Sequence, residues 1–194
     1  VDYKGQSRDF RSAGGSILFV LVLGGVIVYL VLGAQFESWI HPLVIMLTVP
    51  LAMAGALLGL YLSGMSLNLY SQIGLIMLVG LSAKNGILIV EFANQLRDAG
   101  EEFRQALLNA AEVRFRPIVM TGITTAAGSA PLLLSSGAGS ETRAVIGTVI
   151  LYGVLAATLF TLFIVPVAYD LLARRTGSPR QLQKRLREEM GSAE

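Results

Sequence analysis

The chain has 194 residues, of which 54% are hydrophobic and 14% charged, and its mean hydropathy is +0.65. A soluble domain carries about a quarter charged residues, so this composition points to a membrane. The absence of cysteine excludes disulfides and thiolate metal sites, the lone His41 offers no ligand cluster, and the net charge of +2 sits in loops and the tail, where it reads as topology and not as a nucleic-acid surface.

Residues 1–14 are polar and open on Val and not Met, as in a piece of a longer chain; they read as the end of an extracytoplasmic portion. The first apolar stretch, 15–35, exceeds the 7 to 15 residues of a signal-peptide core and reads as a membrane span. In the following QFESWIHP, Phe36 and Trp39 suit a membrane interface and Pro42 suits a helix start. The second span is 41–63, with a kink expected at Pro50 and a small-xxx-small pair at Gly55 and Gly59. SGMSLN forms a tight polar turn into the third span, 69–96, along which Gly74, Gly80, Ala83 and Gly86 permit close helix packing. In the connection at 97–116, Phe103, Ala106, Leu107, Ala110, Ala111 and Phe115 recur at helical spacing, which predicts a short amphipathic helix on the membrane surface; a solvated linker is the plainer alternative. The fourth span is 117–135, and the fifth is 143–173, with a kink expected at Pro166. The charged tail, 174–194, reads as frayed helix or disorder. Backbone groups in lipid must be satisfied within a segment, so the expected fold class is an all-α membrane protein, a bundle of five transmembrane helices.

Orientation follows from Lys and Arg in the connections. With five spans, the segment 97–116 and the tail lie on one side with ten, and the opposite side has four. The richer side is expected in the cytoplasm, with the C-terminus there.

Lys84 lies near the centre of the third span. Placing a lysine there costs about 2.5 to 3.5 kcal/mol on insertion scales, and such residues usually serve function. The interface is about 15 Å away, beyond the reach of the side chain, so Lys84 needs a partner within the protein. Glu91 shares its face but lies about 10.5 Å along the axis, too far to pair closely. No other span here holds an acid near mid-membrane, so the counter-charge is expected on helices outside this sequence. Asn85 sits beside Lys84. On the fourth span Thr121, Thr125 and Gly128 share a face with Thr124 next to it; each hydroxyl either bonds back to its own helix or serves Lys84. Arg114 and Arg116 read as interfacial anchors, with a cytoplasmic proton exit as the alternative for Arg114. A buried ammonium lowers the pKa of neighbouring carboxylates, so protonating such an acid would weaken the pair and free the lysine to move. No nucleophile–base pair, phosphate loop or metal motif accompanies these residues, and the six methionines do not cluster, so catalysis is not expected.

The strings FESWIHPLVIMLTVPLAMAGALLGL, GLIMLVGLSAKNGILIVEFANQLRDAG and RFRPIVMTGITTAAGSAPLLLSSGAGSETRAVIG resemble the second half of the membrane domain of resistance-nodulation-division transporters, in the hydrophobe/amphiphile efflux branch. The resemblance spans nearly the whole chain and implies the last five of twelve spans of a bacterial inner-membrane drug:proton antiporter. It implies a homotrimer, with residues 1–14 ending a periplasmic porter portion, and working with periplasmic adaptor and outer-membrane channel proteins as well as membrane lipids. Protons would be the coupling ion, with no other cofactor and no metal. Lys84 matches the family's relay lysine, Thr121 its relay threonine and Arg114 an arginine near the cytoplasmic end, with Asn85 in the same motif as Lys84. The family's paired aspartates belong to the missing N-terminal half. A scaffold or sensor that transports nothing, and a lipid- or metal-exporting relative, are the alternatives.

Overall fold

The computed structural model describes residues 6–173, with side chains from residue 19 onward; the expectations for residues 1–5 and for the tail lie outside the described residues. The elements are α1 (Gln6–Phe36), α2 (Ile40–Met46), α3 (Thr48–Leu62), α4 (Leu69–Asp98), α5 (Phe103–Leu133) and α6 (Ser140–Ala173). Phe19–Phe36, Ile40–Leu62, Leu69–Asp98 and Ser140–Ala173 are each long and apolar enough to cross a membrane. α2 and α3 form one such stretch, so the six elements make five rods. α5 covers the fourth expected span but is not among these four: its first half carries Arg104, Glu112, Arg114 and Arg116, and its second half is rich in Gly, Thr and Ser, the hydroxyls of which largely bond back to α5 itself.

Local chemistry fixes where the rods begin and end. Pro50 lacks the N–H that would bond the carbonyl of Met46, and the second rod is interrupted at Leu47, between α2 and α3. The Thr48 hydroxyl donates to the Ile45 carbonyl at 2.7 Å beside this interruption. α3 ends where Gly64 adopts a φ of +65°, with Gly64 N–H bonding the Tyr61 carbonyl and Met65 N–H the Leu60 carbonyl. α4 opens with a reciprocal cap between Asn68 and Ser71 and closes on Gly100 (φ +101°) in the same pattern as α3.

Two differences from the sequence reading stand out. The stretch at 103–116 is not a separate surface helix: it is the first half of α5, continuous through Pro117. Its apolar face turns into the bundle, where Ala106 and Ala110 are fully buried and Leu107 is 4% exposed. Phe36 is also buried, edge-on to His41 at 5.8 Å, whereas Trp39 is exposed as an interfacial residue should be.

α6 is the hub, packed against α3, α4 and α5. Glycines set how close each neighbour comes. A Cβ on Gly55 would collide with Ala156 and one on Gly59 with the Tyr152 ring, so α3 runs antiparallel to α6 along this pair. Gly122 and Gly147 do the same for α5, facing Thr158 and Leu132 respectively. α4 runs parallel to α6: Gly74 meets Val149, Leu78 meets Gly153 and Asn94 meets Tyr169, with a constant separation of 75 residues. Lipid supplies no hydrophobic drive between helices, so such close approach is the main source of cohesion.

At the end of the bundle where α4 and α6 terminate, a buried polar cluster ties the elements together. The Tyr169 hydroxyl donates to Asn94 Oδ1 at 2.7 Å and accepts from Arg97 Nη1 at 3.0 Å. Tyr169 is itself stacked between His41 of α2 and Phe103 of α5, each 5.5 Å away between ring centroids.

Two substitutions test this packing. Gly59→Leu drives a side chain into Tyr152 and should destabilise the bundle by about 1–3 kcal/mol, read as a lowered unfolding midpoint in detergent. Tyr169→Phe keeps the ring stack but strips Asn94 and Arg97 of a buried partner, and should cost about 1–3 kcal/mol in the same measurement.

Candidate functional site

The parallel register of α4 and α6, with α5 packed against both, leaves a small, partly open cleft. α4 contributes Leu81, Lys84 and Asn85; α5 contributes Thr121, Gly122 and Thr125; α6 contributes Val154. Lys84, Asn85 and Thr121 are therefore brought together by the fold although α4 and α5 place them far apart in sequence.

Lys84 points outward from this bundle. It is exposed, on a stripe of α4 that also shows Ile73, Met77, Gly80 and Glu91, and no described residue gives it a hydrogen bond or ion pair. Among the described residues nothing lies within 4 Å of where a Cβ on Gly80 would stand, one turn before Lys84, so the backbone itself is open to close approach there. The sequence reading expects a partner for this lysine inside the protein; within this chain the ammonium faces out and has none among the described residues. Asn85, at 6% exposure, is turned in.

The threonines settle one alternative. Thr121 donates to the Ile118 carbonyl at 3.0 Å, Thr125 to the Thr121 carbonyl at 2.8 Å and Thr124 to the Met120 carbonyl at 2.8 Å. Each hydroxyl proton is committed to its own helix, which leaves oxygen lone pairs as the free function. The cleft therefore offers one cation with three donors, one amide and two hydroxyl acceptors, with no carboxylate or imidazole among the lining residues. Such a set cannot exchange protons between an acid and a base of its own. It is suited to receive a carboxylate, which Lys84 would hold ionised.

Arg114 stands apart from the cleft. It lies two turns from Thr121 along α5, about 10.5 Å, with its guanidinium 4.6 Å from the centre of the Phe92 ring. Its Nε is buried without a hydrogen-bond partner. Gly128 faces open space. The cluster of Asn94, Arg97, Tyr169 and His41 was not anticipated; Arg97 counted among the charges of the connection at 97–116, and only the 75-residue register joins Arg97 and Asn94 to Tyr169. Among the described residues no group of three or more His, Cys, Asp or Glu could hold a metal ion.

Residues 1–173 match the model of the AcrB/AcrD/AcrF family. The chain is also 44% identical over 179 residues to an uncharacterized transporter of Haemophilus influenzae (strain ATCC 51907 / DSM 11121 / KW20 / Rd). That alignment covers 89% of this chain and 17% of the relative, so the chain spans a small part of the relative's length. With the SAKNG-bearing helix, its cleft and the RPIVMT helix in these positions, and with the family match running through all six helices, the chain belongs to the AcrB/AcrD/AcrF family of resistance-nodulation-division transporters.

Proposed function

We propose that this chain is the C-terminal membrane part of a proton-driven multidrug exporter, and that Lys84, Asn85 and Thr121 are its contribution to the proton relay. The observation that carries this reading is Lys84: a cation near the centre of a span, exposed on the bundle surface beside Asn85 and Thr121, with no partner among the described residues. Acids from the N-terminal half supply the counter-charge. When such an acid takes up a proton its attraction to Lys84 is lost, and the helices can change their relative position. A single charge moving through 100 mV supplies about 2.3 kcal/mol, enough to shift a two-state equilibrium more than tenfold. Arg114, two turns further along α5, serves the exit side of the relay.

In the cell the chain sits in the bacterial inner membrane, with the end that carries Arg97, Arg104, Arg114 and Arg116 in the cytoplasm. The complete protein is a homotrimer that hands its substrates to a periplasmic adaptor and an outer-membrane channel. Family membership and the outward lysine support this reading over a scaffold, which would gain nothing from the insertion cost of Lys84.

In the complete protein, Lys84→Ala should lower proton-coupled drug efflux at least tenfold while membrane abundance stays normal; retained efflux would remove Lys84 from the relay. Thr121→Ala should impair efflux to a smaller extent, and unchanged transport would leave Thr121 a packing residue. A tag after Glu194 should be labelled only from the cytoplasmic side, and periplasmic labelling would invert the orientation.

A further inference from the structure

Most hydroxyls inside these helices are spoken for. Ser82, Thr121, Thr125, Ser129 and Thr148 each donate to the carbonyl three or four residues back on their own helix. Thr158 and Thr161 of α6 differ: the Oγ1 of each is buried and makes no hydrogen bond among the described residues. Thr161 is fully buried as a residue.

Their position is as specific as their chemistry. Val154, Thr158 and Thr161 follow at intervals of four and three residues, which places them on one stripe of α6. Val154 is a wall of the cleft. Thr158 is the next residue along that stripe, and its Oγ1 lies 2.5 Å from where a Cβ on Gly122, another wall residue, would stand. Thr161 follows about 4.5 Å further along the axis. The 75-residue register between α4 and α6 puts Thr158 level with Ala83 and Thr161 level with Gly86, so the two hydroxyls bracket the level of Lys84 and Asn85. Beyond Thr161, towards the end of the bundle, come two further buried polar atoms without partners, Arg114 Nε and Asn94 Nδ2.

Glycine at 122 is what lets α5 reach Thr158. Any side chain there would collide with the Thr158 hydroxyl and methyl, which lie directly behind this part of the cleft lining.

We infer that Thr158 and Thr161 continue the proton path from the cleft into the seam between α4, α5 and α6, towards the end of the bundle that holds Arg97 and Arg114. This rests on the reading of the chain as part of a proton-driven exporter. A hydroxyl not bonded to its own carbonyl is free to turn, accept and donate. A protonated water gives a proton to the lone pair of one threonine oxygen as that hydroxyl passes its own proton to the next water or hydroxyl. Each threonine is left as it began, and water is the only co-reactant. A committed hydroxyl such as Thr121 serves as an acceptor but is less able to pass its proton on.

The test uses the complete transporter reconstituted in liposomes under an imposed pH gradient, with proton flux followed by a trapped pH dye and ethidium as the exported probe. Valine matches threonine in shape and lacks the hydroxyl, whereas serine keeps it. The Thr158→Val/Thr161→Val pair should lower proton flux and maximal ethidium transport tenfold or more with the KM for ethidium unchanged, and the Thr158→Ser/Thr161→Ser pair should stay within twofold of the parent. The inference is overturned if the valine pair also stays within twofold, or if the serine pair falls as far as the valine pair, since packing would then be the cause. Should the valine pair fail to reach the membrane, the alanine pair takes its place with the same thresholds. Lys84→Ala is measured alongside. If the parent itself moves no ethidium under the pH gradient, the exporter reading fails; if the parent transports, Lys84→Ala loses transport and the valine pair does not, only the role of these two threonines fails.

Discussion

The architecture depends on how closely α6 can approach three other helices. Where lipid surrounds a bundle, apolar side chains gain little by leaving it for one another, and cohesion comes from dense contact between backbones. Gly55 and Gly59 on α3, Gly74 on α4, Gly122 on α5 and Gly147 and Gly153 on α6 each hold a place that a Cβ would fill. These contacts fix register as well as distance. The 75-residue offset between α4 and α6 brings Asn94 to Tyr169 at one end and Gly74 to Val149 at the other, and Lys84 falls between. A one-residue slip would rotate Asn85 out of the cleft and break the Tyr169 cluster. The site is therefore a consequence of glycine placement as much as of its own polar residues.

The cleft assembled by that register is chemically incomplete. It holds an ammonium, an amide and hydroxyl acceptors, and no acid. A lysine this far along a span costs about 2.5 to 3.5 kcal/mol on insertion scales and has no partner among the described residues; in the proposed relay its partner comes from helices outside this chain. On the stripe around Lys84, Gly80 leaves the backbone open one turn before it. The contrast with the far end of the bundle is informative. There Arg97 has partners within the chain, on Asn94 and Tyr169, and serves to tie α4 to α6. Two cations on one helix thus differ: Arg97 is answered locally and ties α4 to α6, and Lys84 has no partner among the described residues.

Much of this was legible in the sequence, and the failures have physical causes. Apolar length located the rods, Pro50 marked the interruption near Leu47, and the spacing of Gly55 and Gly59 marked a packing face. Lys84 drew attention to the site by cost alone. The amphipathic pattern at 103–116 was read correctly as helix and wrongly as a separate surface element, because periodicity identifies an apolar face without saying what covers it; here α5 runs on through Pro117, and Ala106, Leu107 and Ala110 are covered by the bundle. Phe36 was placed at the interface for the same reason, since an aromatic residue at a helix end serves a membrane boundary or a buried ring cluster equally well. The pairing of Arg97 with Tyr169 could not be read at all, because it depends on a register between helices 72 residues apart in sequence.

In the proposed relay, Lys84 holds acids from the rest of the protein in their ionised form. Infrared difference titration of the purified complete transporter measures this directly, through the carbonyl stretch of protonated carboxyl groups in the membrane domain. With Lys84→Met the protonated band should persist to a pH about one to three units higher than in the parent protein, because the ammonium no longer favours the carboxylate. A titration unchanged by the substitution would contradict this role for Lys84.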